Sequence, residues 1–202
     1  DFPERNIRTR RISTRRFLNS CRATKDKNSP LRNMVFAINA APWSPWTSPY
    51  THRFADNLGF AVADGILVAP ANKRPSLIIY NDGKAAIKVV EKDIDISNIK
   101  AAVSGFAIIL EDGVVRGDKT LHPRTAYGIS KDNKYLIIMT VDGRQKNCSL
   151  GAGTYEMGEW LKRFGAWNGL NMDGGGSTSM ACIMPGEDTA KLLNRPPGGG
   201  ER

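Results

Sequence analysis

The chain has 202 residues, 41% apolar and 24% charged, a composition that suits one folded domain over residues 1–202 with a sizeable core. It contains no apolar run near the ~20 residues a membrane span requires, and Asp1-Phe2-Pro3-Glu4 lacks the basic start and apolar stretch of a secretory signal. The net charge of +9 is uneven, because residues 1–33 hold ten Lys/Arg against three Asp/Glu while the remainder is nearly balanced. Cys21, Cys148 and Cys182 are widely spaced and, with only two histidines, form no zinc pattern.

The N-terminal stretch "RNIRTRRISTRRFLNSCR" offers charge to an anionic partner, or simply forms a solvated helix face. It has no interleaved aromatics for stacking on bases, so nucleic acid ranks last as a partner. Residues 12–21 predict a short helix capped near Ser13, with Phe17, Leu18 and Cys21 on one face. "MVFAINA" (34–40) has strand length. "APWSPWTSPY" (41–50) is a proline-rich loop, and its Trp43, Trp46 and Tyr50 either wall a sugar site or cover the edge of the core. Four hairpins follow, turning at Asp64-Gly65, Asn81-Asp82-Gly83, Asp112-Gly113 and Lys131-Asp132-Asn133. Thr154 is placed to cap a second helix, with Glu156 and Glu159 near its positive end. Met157, Trp160, Leu161 and Phe164 follow its period, and Gly165 ends it. The expectation is an α+β fold, a mixed, largely antiparallel sheet with a few packed helices in a single domain.

After that helix comes "NMDGGGSTSM" (171–180), a carboxylate, three glycines and three hydroxyls between two apolar segments. Gly174, Gly175 and Gly176 allow positive φ and close approach of a ligand to the backbone. Their amides could form an anion site, with Ser177 and Thr178 adding neutral donors. Asp173 would repel an anion unless the ligand also carries a centre that becomes positive. A glycosyl phosphate meets both demands, with phosphate on the amides and the anomeric carbon facing Asp173. The alternative is a turn in which Asp173 caps its own backbone.

"PRTAYGISKDNKYLIIMTVDGRQ" (123–145), the following "GAGTYEMGEWLKRFGAW" helix and the glycine loop together resemble the phosphodiester glycosidase family. "FAINA", "SGFAIILEDG" and "NRPPGGGER" extend the likeness over most of the chain. The resemblance implies hydrolysis of the glycosidic bond of an N-acetylglucosamine-1-phosphodiester-like substrate in a secretory or cell-envelope compartment. Carried over by motif, Asp173, Asp142 and Arg124 would be catalytic. Asn39, Arg144, Asn171, Gly174, Gly175, Gly176, Ser177 and Thr178 would bind substrate, with Arg124 and Arg144 clamping phosphate and Asn39 and Asn171 meeting sugar hydroxyls or bracing the loop. His122 is a further candidate proton carrier. No spaced ligand set calls for a metal or other cofactor. The sequence departs from the family at Asn39-Ala40-Ala41-Pro42, where members read Asn-Gly-Gly-Phe, and the chain reads as trimmed at both ends. A non-catalytic module that binds anionic glycans or cell-wall phosphopolymers is the alternative function.

Overall fold

The computed structural model describes residues 9–46 and 53–201, so the basic residues before Thr9, and Tyr50 of the proline loop, lie outside the described residues. The chain begins with β1 (Thr9–Arg10), α1 (Thr14–Arg22), β2 (Phe36–Ile38), β3 (Trp43–Ser44) and β4 (Phe54–Asn57). A first run of strands follows: β5 (Ala61–Ala63), β6 (Ile66–Ala69), β7 (Pro75–Tyr80), β8 (Ala85–Val89) and β9 (Ile99–Ser104). A second run comprises β10 (Ala107–Glu111), β11 (Val114–Val115), β12 (Arg124–Ser130) and β13 (Leu136–Val141). Then come α2 (Thr154–Arg163), β14 (Ala166–Asn171), β15 (Met180–Cys182) and β16 (Lys191–Leu192).

All four expected hairpins form. Their turns sit where short polar residues and glycine tolerate left-handed backbone, at Asp64 and Gly65, Gly83, Asp112 and Gly113, and Asn133. The architecture is α+β, but the single mixed sheet is replaced by separate antiparallel ones. Two are five-stranded, in the orders β6-β5-β9-β7-β8 and β11-β10-β14-β12-β13, and two smaller ones are β1-β4-β3 and β16-β15-β2.

Period-two alternation stacks the large sheets. Leu77 of β7 and Tyr127, Ile129 and Leu170 of the second sheet meet in a shared core. Ile78 points the other way, against Phe60, Val90 and Ile99. On the far face of the second sheet, Met157 and Leu161 of α2 pack on Ile109, Leu110, Ala126 and Ala166. Glycine sets that approach: a Cβ on Gly158 would lie 2.5 Å from the Ile109 carbonyl oxygen, and one on Gly128 would lie 2.7 Å from the Ala166 Cβ.

The buried stripe of α2 is Thr154, Met157, Gly158 and Leu161, not the expected line of large side chains. Trp160 and Phe164 are about half exposed and stack on each other with ring centroids 5.9 Å apart. Gly153 occupies the cap position, and the Glu156 carboxylate accepts its N–H at 2.7 Å. In α1, Leu18 and Cys21 are buried while Phe17 is partly exposed. Ser13 makes no side-chain cap. The N-terminal turn instead donates to Glu201 from far along the chain, through Arg15 N–H at 3.1 Å and the Thr14 hydroxyl. Arg15 Nε adds an ion pair at 2.5 Å, and Ser179 Oγ donates at 3.1 Å. Burial pushes the Glu201 carboxyl up, but hydrogen bonds from Thr14, Arg15 and Ser179 outweigh it and hold the group below its usual range.

Candidate active site

The second large sheet positions the site. β12 opens with Arg124, β13 leads into Asp142-Gly143-Arg144, and β14 ends at Asn171, two residues before Asp173. Asn171 pairs with Ala126 on one side and Ala107 on the other. These strand ends meet at a cavity of about 790 Å³, the size range of small-molecule sites. Arg124, Arg144, Asn171, Asp173, the three glycines 174–176 and Ser177 all line it. Asp118 and His122 line it as well. Trp43, Trp46 and Phe106 supply an aromatic wall, so the proline-rich loop contributes to the cavity rather than only to the core edge.

The glycine loop forms a turn of 3-10 helix over Gly175–Ser177. Most of its amides are already engaged. Gly174 N–H donates to Asp173 Oδ1 at 3.0 Å, Gly175 N–H to the Pro123 carbonyl at 2.8 Å, and Ser177 N–H to the Gly174 carbonyl at 3.0 Å. The expected cradle of open amides is therefore corrected: the glycines serve close packing. A Cβ on Gly174 would lie 2.7 Å from the Pro123 carbonyl oxygen, and Gly175, at φ +58°, has the Arg144 guanidinium directly above it. Asp173 does bond its own loop, as the turn alternative required, and it lines the cavity too.

Positive charge comes from side chains. Arg124 Nε donates to the Ala152 carbonyl at 3.1 Å and Nη2 to the Thr120 carbonyl at 2.9 Å, which fixes the plane of the guanidinium. The Asp118 carboxylate lies 3.9 Å from it. Burial lowers the Arg124 pKa, Asp118 opposes that, and the Arg144 charge lowers it further. Arg144 itself stands at φ +57°, a left-handed conformation costing a side-chain residue about 1–2 kcal/mol. Its guanidinium lies over Gly175, 3.4 Å from His122 Nδ1. The exposed Arg144 guanidinium thus adds its positive charge beside the partly buried one of Arg124.

Asp142 does not line this cavity. Its oxygens accept from Asn194 Nδ2 at 2.9 Å and from Arg195 N–H at 3.0 and 2.9 Å, so the carboxylate anchors the segment that ends in Glu201. Thr178 is fully buried and lines neither this cavity nor the neighbouring one of about 710 Å³ across Asp173, Ser177 and Trp43. Asn39 lies on that second side and acts as a brace. Its Nδ2 donates to the Asp173 carbonyl at 2.7 Å, while Oδ1 accepts from Thr125 Oγ1 at 2.7 Å and Ser179 N–H at 3.0 Å. Tyr127, whose phenol burial pushes up, donates to the Asn39 carbonyl at 2.7 Å.

Asp118 escaped the sequence reading. Its available signal was Asp118-Lys119-Thr120, in which Oδ1 accepts Thr120 N–H at 2.8 Å. That bond foremost, with further ones from Thr120 and Thr154 and the charge of Arg124, holds its carboxyl below the usual range. Asp118 is thus an anion at neutral pH, not a proton donor.

Fold and site together define an antiparallel α+β domain whose second sheet presents paired arginines and a loop carboxylate to one aromatic-walled cavity. The phosphodiester glycosidase family model matches residues 32–202, and the chain belongs to this family. It is 30% identical over 169 positions to the SPbeta prophage-derived uncharacterized protein YomE of Bacillus subtilis, covering 74% of this chain and 24% of that one. A zebrafish N-acetylglucosamine-1-phosphodiester alpha-N-acetylglucosaminidase catalytic domain, auto-inhibited by its pro-peptide, superimposes with TM-score 0.63 at 22% identity, over 81% of this chain and 56% of that one. A Burkholderia pseudomallei protein, named only provisionally as exported, gives TM-score 0.66 at 13% identity, over 95% and 66%. The chain therefore spans less than two thirds of each of these relatives' matched chains. Among the described residues no helix is long and apolar enough to cross a membrane.

Proposed function

We propose that the protein hydrolyses the bond between the anomeric carbon and the oxygen of a sugar-1-phosphodiester, of the N-acetylglucosamine-1-phosphodiester type. The observation that carries this is the convergence of Arg124 and Arg144 beside Asp173 on one cavity. Together with Arg74 they make three lining arginines against the two lining carboxylates Asp118 and Asp173, an imbalance that a singly charged phosphodiester neutralises. The departing phosphomonoester has a second pKa of about 6, so it leaves without strong acid assistance. Arg124 and Arg144 stabilise the charge that develops on it. Asp173, fixed by its bond to Gly174 N–H, stabilises the positive anomeric centre and serves as nucleophile or as base for the incoming water. Trp43 and Trp46 give the sugar an apolar face to lie on. Family membership supports hydrolase chemistry and work in a secretory or cell-envelope compartment. The test is release of N-acetylglucosamine from a methyl phosphodiester of N-acetylglucosamine-1-phosphate. Turnover by the wild type and its loss in a folded Asp173→Asn variant is the expected result. Saturable binding with no product would instead favour the binding-module function.

A further inference from the structure

The cavity contains one polar side chain that the fold itself leaves unsatisfied. Asn171 is 4% exposed, and its Oδ1 is buried with no hydrogen-bond partner. Its backbone carbonyl accepts Phe106 N–H at 2.8 Å, and its strand lies between β10 and β12. The side chain is orphaned because of its neighbours. Directly across the sheet on either side stand Ala107 and Ala126, which have no polar atoms to offer, and β10 and β12 residues directly opposite lie on the same face. Met157 and Leu161 of α2 cover that face further along. An unpaired buried acceptor costs the folded protein stability, yet this one lines the same cavity wall as Arg124 and Asp173.

We infer that Asn171 is a specificity-determining residue, whose carboxamide oxygen accepts a hydrogen bond from an O–H or N–H on the bound sugar ring. The inference rests on the sugar-phosphate function proposed above and adds its substrate class: a sugar carrying a donor at one defined ring position. A site built around an unpaired polar group rejects the analogue that cannot pair with it far more strongly than an apolar wall would. The terminal torsion of asparagine is soft, so small rotation brings the oxygen onto the ligand.

The test is binding by calorimetry, independent of turnover. The probes are N-acetylglucosamine-1-phosphate, its analogues with fluorine replacing in turn the hydroxyls at ring positions 3, 4 and 6, and the analogue with an O-acetyl in place of the N-acetyl at position 2. Fluorine in place of a hydroxyl, and an ester oxygen in place of the amide N–H, keep the space filled without donating a hydrogen bond. In the wild type, one analogue should bind about 10- to 100-fold more weakly, the loss expected for an unmade buried hydrogen bond. In Asn171→Ala the same analogue should match the parent compound within about twofold on the same basis. Asn171→Leu, with the same branching and number of heavy atoms, repeats the comparison should the alanine variant melt early. Because the carboxamide has no protein partner, the leucine variant should melt no lower than the wild type. A flat series in the wild type overturns the inference, as does a selectivity that survives in both variants. Absence of any binding of N-acetylglucosamine-1-phosphate overturns the inference, while the proposed function is decided separately by turnover of the methyl phosphodiester.

Discussion

Asn39→Ala should destabilise the protein by about 2–6 kcal/mol, the cost of orphaning two buried donors at roughly 1–3 kcal/mol each. The donors are Thr125 Oγ1 and Ser179 N–H, both now held by Asn39 Oδ1. Thr125 is fully buried and Ser179 is 5% exposed, so water does not replace the lost acceptor freely. For a chain of this length each kcal/mol shifts the melting temperature by about 2–4 °C, so a fall of roughly 4–24 °C follows. Asn39→Asp keeps the acceptor but sets a carboxylate oxygen against the Asp173 carbonyl in place of the present donor, so it should also destabilise the protein and loosen the loop. Urea denaturation at neutral pH measures both. If Asn39→Ala unfolds within about 0.5 kcal/mol of the wild type, the range for neutral surface changes, the brace assigned to Asn39 is refuted.

Arg124→Lys should raise the KM for a sugar-1-phosphodiester by about tenfold or more, since lysine cannot keep the two carbonyl bonds and the planar fork together; an unchanged KM removes Arg124 from the anion site. Gly158→Ala would gain about 1 kcal/mol of helix propensity, but its Cβ would sit 2.5 Å from the Ile109 carbonyl oxygen. The overpacking cost of about 1–3 kcal/mol should win, and calorimetric melting decides the sign. The Glu201 carboxyl is depressed in the folded state from the ordinary value of 4.5, so the unfolded chain binds the proton more readily. Its contribution is full above that value and is lost as pH falls through the folded one. Stability curves of wild type and Glu201→Gln should therefore converge on acidification below pH 4.5, and parallel curves would contradict the clasp. Trp160→Ser should destabilise by about 1–3 kcal/mol in urea denaturation, because a half-buried ring loses its apolar burial and its stack on Phe164.

Local chemistry made the hairpins legible. Asp-Gly and Asp-Asn turns demand left-handed backbone, and the turns appear at those residues. The helix ending at Gly165 was legible for the same reason. Its buried face was not, because side-chain size suggested Trp160 and Phe164 whereas close approach to β10 required Gly158. Arg124, Arg144, Asn171 and Asp173 were readable as a set from their motifs, and the cavity brings them together. Asp142 was misplaced because its partners, Asn194 and Arg195, are more than fifty positions away, and no local pattern encodes such a pairing. Asp118 lay outside the motifs, and only its Asx turn marked it.

The Glu201 clasp has a consequence for how the molecule comes into being. Thr14 and Arg15 wait for a carboxylate that a growing polypeptide delivers 187 and 186 positions after them. Until residue 201 emerges, the first helix lacks its anion and the glycine corner lacks one of its tethers. A nascent chain can assemble its hairpins before residue 201 emerges, and only afterwards is the first helix fastened to the glycine corner.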